Sequence, residues 1–414
     1  MPIGFLLAAV SLAAAPDEDL RARAARLQKS AIVLDTHEDV PERLEKEWVD
    51  IGVRNRTGQV DIPRLQEGGV TAAFFAAYVP AAFAEAGGST RKALELIDLV
   101  HRLADEKKAL VFADSVEGVR AAKRNGKIAV LIGIEGGHAI ENSLGALSAF
   151  YRLGVRYMTL THTNTNAWAD SSGSMFRYDF DPKKYAVHGG LTDFGRDVVR
   201  EMNRLGMLVD VSHVSDDTIR DVLEVSKAPV FASHSSCRAL ANVPRNLTDD
   251  QIRGIAARGG VVMVNFHSVF LDQKVVDVYW RERAALAPRI AELEQAFRDD
   301  PKARESAIDG LMASIRTPRA AASAVADHIE RILLVGGAKA AGLGTDYDGD
   351  IDPPAGLEDV SRLTLVTEEL LRRGHSEEVV GGVLGENFLA FWERAQAARS
   401  LVPPRQGPLP FSKP

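Results

Sequence analysis

Ala129-Val130-Leu131-Ile132-Gly133-Ile134-Glu135-Gly136-Gly137-His138 is the stretch on which the reading of the fold turns. Six of the seven residues through Glu135 are apolar, which predicts a strand buried on both faces, the habit of parallel sheets covered by helices. It ends in a carboxylate followed at once by two glycines. A greasy strand that carries a charge to its C-terminal tip suits a site better than a surface. A lone Glu there is more simply the first solvated residue of a loop, so the neighbouring segments must decide.

The same pattern recurs along the chain. Apolar runs at Ala31–Asp35, Val70–Val79, Arg156–His162, Met207–His213, Pro229–His234, Gly260–Phe266 and Ala340–Asp346 join this one to make eight predicted strands. Helical periodicity separates them, as in Thr90–Lys107, Val116–Arg124, Leu144–Leu153, Asp216–Val225 and Ala320–Gly336. Thr248 is placed to cap a helix over Asp249–Arg258. Trp48–Leu65 and Asn164–Gly189 read as loops, and Leu271–Pro318 as an irregular insertion with a charged amphipathic helix near Trp280–Phe297. Helices over Leu357–Arg373 and Ser376–Arg399 finish the unit. Eight strands alternating with helices predict an α/β fold, a (β/α)8 TIM barrel, as one domain over residues 16–400. A doubly wound sheet would need a glycine-rich phosphate turn after an early strand, and none is present.

Bulk properties narrow the function. The 414 residues carry a net charge of −7, so no basic footprint invites nucleic acid. A single cysteine, Cys237, excludes an internal disulfide framework and a thiolate zinc cage. The apolar run Ile3–Ala15 is too short to span a bilayer but suits a signal-peptide core, with Ala13-Ala14-Ala15 as the cleavage region. On that reading the protein is exported to a periplasm or secreted; without cleavage it is cytoplasmic. Residues 401–414 form a Pro-rich tail.

The strand tips supply the chemistry. They carry His37 and Asp39, Glu135, His162, His213, His234 and Asp346, and in a barrel such tips converge on one face. Imidazoles with carboxylates suit two divalent ions, Zn²⁺ foremost. His37 and Asp39, two apart on an extended strand, point the same way and share one ion. His213 and His234 come from neighbouring strands and share a second, with Glu135 as the bridge. Two such ions acidify a water held between them. Asp346 is the candidate proton shuttle, and His162 a donor to a polarised carbonyl oxygen. Asp348 rivals Asp346 within an acidic turn, which lacks EF-hand spacing. His267 is a candidate pocket wall. His138 has no assignable partner, His188 lies in a loop, and His101, His328 and His375 sit in helical patterns.

At this point the residues resemble a family, the membrane (renal) dipeptidases. The resemblance rests on Leu34-Asp35-Thr36-His37-Glu38-Asp39, Ile134-Glu135-Gly136-Gly137-His138, Leu160-Thr161-His162-Thr163-Asn164, and Trp168-Ala169-Asp170-Ser171. It continues through Leu208-Val209-Asp210-Val211-Ser212-His213, Ser233-His234-Ser235-Ser236, Pro244-Arg245-Asn246, and Gly342-Leu343-Gly344-Thr345-Asp346-Tyr347-Asp348-Gly349. It spans about Ser30 to Arg399 with the motifs in order. It implies an amidohydrolase-like barrel with two zinc ions that hydrolyses dipeptides, including those with a D-residue at the C-terminal position, and a homodimer. It assigns His37 and Asp39 to the first zinc, His213 and His234 to the second, and Glu135 to the bridge. Asp346 becomes the shuttle and His162 the substrate-polarising histidine. It adds Arg245 as the residue that grips the dipeptide's C-terminal carboxylate, a role that a bidentate guanidinium fills well. Glu38 stands where the family often has Asn and brings an extra negative charge beside the ligands. The paired cysteines of animal members are absent and no C-terminal lipid-anchor signal is seen, so the chain resembles a bacterial-type relative.

Two other functions compete. One is a two-metal barrel hydrolase for another amide or ester, such as a β-lactam, lactone or phosphotriester. The other is a barrel that binds without catalysing, which the intact ligand set disfavours.

Overall fold

Eight parallel strands close on themselves in the computed structural model, which describes residues 17–401. In chain order the strands are β1 (Leu34–Glu38), β2 (Ala72–Tyr78), β3 (Leu110–Phe112, outside the ring), β4 (Ile128–Glu135), β5 (Val155–Thr159), β6 (Leu208–Asp210), β7 (Phe231–Ala232), β8 (Val261–Val264) and β9 (Ala341–Leu343). The ring runs β2-β1-β9-β8-β7-β6-β5-β4, and the pairing of β4 with β2 closes it. This is the expected (β/α)8 barrel. The candidate signal segment and the tail from residue 402 lie outside the described residues. Among the described residues no helix is long and apolar enough to cross a membrane.

The alternation within each strand sorts the core into two layers. Leu34, Phe74, Ala129, Leu131, Tyr157, Leu208, Phe231, Val261 and Met263 belong to one cluster, inside the barrel. Phe388, Phe391 and Trp392, from the helix Asn387–Ala397, join that cluster and plug the barrel floor. The opposite faces, including Phe75, Val130, Ile132, Ile134, Val209, Val262 and Leu343, pack in the larger cluster shared with the outer helices. Both faces are therefore buried, and the strands read as continuous apolar runs.

Two one-residue bulges tune this alternation. On β1 the register runs Leu34↔Ala72 and Asp35↔Ala73 but then Glu38↔Phe75, so β1 carries one extra residue. That residue reverses the facing of the strand's last positions: His37 and Asp39 turn to the barrel mouth and Glu38 turns away. On β5 the register passes from Ile132↔Val155 to Gly133↔Tyr157, which brings the Tyr157 ring inside. Gly133 is what admits that ring, since a Cβ there would lie 2.0 Å from Tyr157 Cζ.

Several elements depart from expectation. The additional strand β3 pairs with the start of β4, where β5 has not yet begun its ladder. The segment expected as loop contains the helix Ile62–Glu67, opened by Pro63 and capped by Asp61. The helix expected near Trp280–Phe297 is two, Gln273–Ala285 and Ala287–Ala296, broken at Leu286 just before Pro288. With Pro301–Met312 they form the late insertion, whose apolar residues build a third cluster with Met175, Val269 and Phe270.

Candidate active site

The strand tips meet in a pocket of about 370 Å³ at the barrel mouth, lined by Asp39, Glu135, His162, His213, Arg245 and Asp346 among others. Glu135 ends β4 on the same face as Ala129 and Leu131, so its carboxylate rises along the barrel axis. Its Oε1 lies 3.0 Å from His213 Nε2, 3.3 Å from His234 Nε2, 3.6 Å from His37 Nε2 and 3.9 Å from His162 Nε2. His37 Nε2 is also 3.6 Å from Asp39 Oδ2 and 3.9 Å from Asp346 Oδ1. Three sets of donor atoms fall within 4.8 Å of one another: His37, Asp39 and Asp346; His37, Glu135 and His234; and Glu135, His162 and His213. His37 and His234 lie ring against ring at 3.8 Å. The sets overlap through His37 and Glu135 into one cage, in which His213 Nε2 and His234 Nε2 also lie 2.8 Å apart.

Hydrogen bonds outside the cage orient the imidazoles. Tyr157 donates its hydroxyl to Thr36 O at 3.1 Å, so it accepts the Nδ1–H of His37 at 2.8 Å. Nε2 of His37 is then left with its lone pair facing the pocket. A parallel relay acts on His234: its Nδ1 meets Ser233 Oγ at 2.7 Å, and that hydroxyl donates to Asp210 Oδ2 at 2.6 Å. Such partners fix the tautomer and raise the basicity of a metal-binding nitrogen. His213 has a left-handed backbone, φ +65°, a strained state for a residue with a side chain. Its carbonyl is held by Ser172 N–H, Thr161 Oγ and Ser171 Oγ, which stabilise the turn.

The donor set fits divalent cations. His37 Nε2 and Asp39 Oδ1, both facing the cage, are buried polar atoms without a hydrogen-bond partner. Burial, reinforced by Glu135 and Asp346, pushes the Asp39 carboxyl well above its usual range. Burial also pushes Asp346 up to about 6. Glu135 is held well below the usual range although burial opposes it, because four imidazoles surround it. Carboxylates crowded into a dry cage repel one another unless cations sit among them. Gly349 keeps the space open: a Cβ there would lie 2.5 Å from Asp39 Oδ2 and 3.0 Å from Asp346 Oδ1.

Asp346, His162 and Arg245 also reach the pocket. Asp346 ends the β9 segment in a left-handed turn and accepts a 2.7 Å hydrogen bond from Asn265 Nδ2. Its rival Asp348 faces elsewhere, bound by Arg43 at 2.8 Å and by the Gln59 amide at 2.6 Å, so it braces the turn that carries Asp346. His162 packs on Tyr78 and His213, and burial lowers it to about 4, so it is uncharged at neutral pH. Arg245 is buried, giving Nη1 to Ser235 Oγ at 3.3 Å and Nη2 to His234 O at 3.0 Å, with no ion-pair partner among the described residues. Glu38 points away from the cage. Burial, with Asp35 and Asp348 nearby, holds its carboxyl well above its ordinary range. His267 does line the pocket, and His138 lies outside it. Sequence reasoning missed Tyr157, Ser233, Asp210 and Asn265; Tyr157, Asp210 and Asn265 meet their partners only through the barrel, whereas Ser233 adjoins His234 in the chain.

Comparison with known proteins agrees with this geometry. The family model described as membrane dipeptidase (peptidase family M19) matches residues 21–404. Dipeptidase 3 of Homo sapiens is 38% identical over 386 residues, covering 92% of this chain and 68% of the relative. The mouse (Mus musculus) Dipeptidase 3 is 36% identical over 388 residues, with the same coverage of 92% and 68%. Among solved structures, the probable dipeptidase PvdM from Pseudomonas aeruginosa shares the fold with a TM-score of 0.80 at 22% identity, covering 92% of this chain and 99% of that one. A metallo peptidase from Rhodobacter sphaeroides, liganded with a phosphinate mimic of the dipeptide L-Ala-D-Ala, has a TM-score of 0.70 at 25% identity, covering 88% and 99%. A family match over most of the chain, on a barrel whose mouth gathers histidines and carboxylates that could hold a metal, places this protein in the membrane dipeptidase family of metallopeptidases.

Proposed function

We propose that the protein hydrolyses dipeptides at a centre of two zinc ions, one held by His37 and Asp39, the other by His213 and His234, with Glu135 between them. Zinc is the metal best matched to imidazole and carboxylate donors. The observation that carries the substrate assignment is Arg245, a buried guanidinium without a counter-ion on the wall of the same pocket. A free carboxylate supplies that counter-ion and accepts two parallel N–H bonds.

When bound, the ions supply Lewis acidity and a water of lowered pKa. The chain's own groups do the rest. Arg245 fixes the C-terminal carboxylate and so the distance from it to the scissile amide. His162, neutral and within reach of the cage, donates to the carbonyl oxygen as negative charge develops there. Asp346 accepts the proton of the attacking water and returns it to the amine nitrogen as the C–N bond breaks. Asn265 holds that carboxylate in place through Oδ2.

The Rhodobacter sphaeroides neighbour binds a mimic of L-Ala-D-Ala, and on that likeness the substrate set is extended to dipeptides with a D-configured C-terminal residue. The test is hydrolysis of paired L,L and L,D dipeptides by protein stripped with chelator and reloaded with zinc. Activity restored at two zinc ions per chain is expected. Hydrolysis that chelator leaves unchanged refutes the metal assignment, and no cleavage of either stereoisomer series refutes the substrate assignment.

A further inference from the structure

One wall of the pocket is not used by this chemistry. Met175, Phe176, His267 and Phe270, which line it, pack together beside Arg245. The Arg245 guanidinium lies over the Phe270 ring at 5.6 Å, so the carboxylate grip and the aromatic wall are adjacent. Phe176 packs 6.1 Å from Phe270 and 5.4 Å from His267, and His267 lies 4.9 Å from Phe270. His267 is no charged exception: the Asp352 amide donates to its Nδ1, and burial lowers it to about 4. The acidic lining residues Glu42 and Asp350 are tied to Lys46, which bonds to both carboxylates.

The late insertion braces this wall. Tyr279, on the helix Gln273–Ala285, packs edge-on against Phe176 at 5.4 Å and donates its hydroxyl to Met175 O at 3.1 Å. Arg283, one turn further, donates to Met175 O at 3.0 Å and to Tyr178 O at 2.7 Å. Val275, Val276, Ile308 and Met312 fill in behind Met175 and Phe270. The loop that carries Phe176 is therefore clamped to the insertion at Met175 and Tyr178, while its earlier residues Ser171 and Ser172 bond to the His213 carbonyl.

We propose that Phe176 and Phe270, braced by the insertion helices, form the subsite for the side chain of the substrate's C-terminal residue and select apolar side chains there. The inference rests on the dipeptidase reading, in which Arg245 holds the carboxylate. The Cα of that residue is one bond from the carboxylate carbon, which brings its side chain against the surface that flanks Arg245. Burial of a Leu-sized side chain on such a wall is worth roughly ten- to a hundred-fold in kcat/KM over Gly, and an Asp side chain there stays unpaired.

The test compares kcat/KM for Ala-Leu, Ala-Gly and Ala-Asp, in both configurations of the second residue, on zinc-loaded wild type, Phe176→Ala and Arg283→Met. Ratios within one preparation do not depend on the fraction of protein that is folded. A Leu/Gly ratio of about ten or more in the wild type is expected, with Asp poorest. Phe176→Ala should lower that ratio about tenfold, and Arg283→Met, which frees the loop, by a smaller factor in the same direction. Cleavage of these dipeptides with a Leu/Gly ratio near one, or one that Phe176→Ala leaves unmoved, overturns the subsite alone. No cleavage of any of them by the zinc-loaded wild type overturns the dipeptidase reading and the subsite with it.

Discussion

Replacing Arg245 by Met removes the guanidinium fork and keeps most of the unbranched stem, so it isolates the recognition of a carboxylate. The magnitude comes from the hydrogen-bond inventory. Arginine has five N–H donors, and the two bonds within the protein go to Ser235 Oγ and His234 O. Two of the others are available as a parallel pair for a carboxylate. Charge-assisted bonds of this kind contribute about 1.5–3 kcal/mol each, so the pair is worth about 3–6 kcal/mol before losses. At about 1.4 kcal/mol per decade, kcat/KM for a dipeptide should fall by roughly a hundred- to ten-thousand-fold. Arg245→Lys keeps the charge without the fork and should fall in between. The assay pairs each dipeptide with its C-terminal carboxamide, which keeps the scissile bond but loses the negative charge. Wild type should discriminate strongly against the amide, and Arg245→Met should not, since the partner of the missing charge is gone. Equal losses on acid and amide would refute the assignment, because the guanidinium would then be supporting the pocket rather than reading the substrate.

Three further outcomes concern the site and its surroundings. Ser233→Ala breaks the relay from Asp210 to His234 Nδ1 and should weaken zinc retention about ten- to a hundred-fold in chelator competition; unchanged retention would show that the relay does not orient the ring. Asp346→Asn should lower kcat by about a hundred- to ten-thousand-fold at unchanged zinc content, and a loss below tenfold would remove Asp346 from the proton path. His328, which does not line the pocket, accepts the Cys237 amide at Nδ1 and donates Nε2–H to Leu271 O, and burial lowers it to about 4. Its folded pKa lies below the unfolded value near 6.5, so its contribution is complete above pH 6.5 and is lost as pH falls towards 4. Urea unfolding of metal-free protein should show about 3 kcal/mol less dependence on pH across that window in His328→Gln, and equal slopes would refute the linkage.

The parts of the site that are legible in the sequence are those whose chemistry contradicts their surroundings. A carboxylate or imidazole closing an apolar strand stands out because a buried charge is costly without a partner, and Glu135, His213, His234 and Asp346 are all legible in this way. Simple alternation puts the His37–Asp39 pair on one face, yet the facing is set by a bulge that no local pattern announces. Tyr157 reads as a core residue, and Ser233 as one serine among several. Tyr157 has its role only because β5 brings it beside His37 Nδ1, and Ser233, next to His234 in sequence, has its role only because β6 brings Asp210 to it. Asp346 and Asp348 cannot be separated by spacing, because what distinguishes them is Arg43 and Gln59, which lie 305 and 289 residues before Asp348. The late insertion is visible as irregularity, whereas its grip on the loop at Met175 depends on contacts across 104 and 108 residues.

Gly133 and Tyr157 have a consequence for how this protein can change. The phenol fills the barrel interior with one end and holds the His37 imidazole with the other, and it fits only because residue 133 lacks a Cβ. Selection on packing and selection on chemistry therefore act on the same two positions. A library that repacks the interior for thermal tolerance will drift in metal retention unless both are frozen, and one that holds them fixed can vary Leu34, Phe74 or Leu131 as ordinary filling. The Met175–Phe176 end of its loop is anchored on the insertion, so substrate range can be diversified at Phe176 while Ser171 and Ser172, which hold the His213 carbonyl, stay constant.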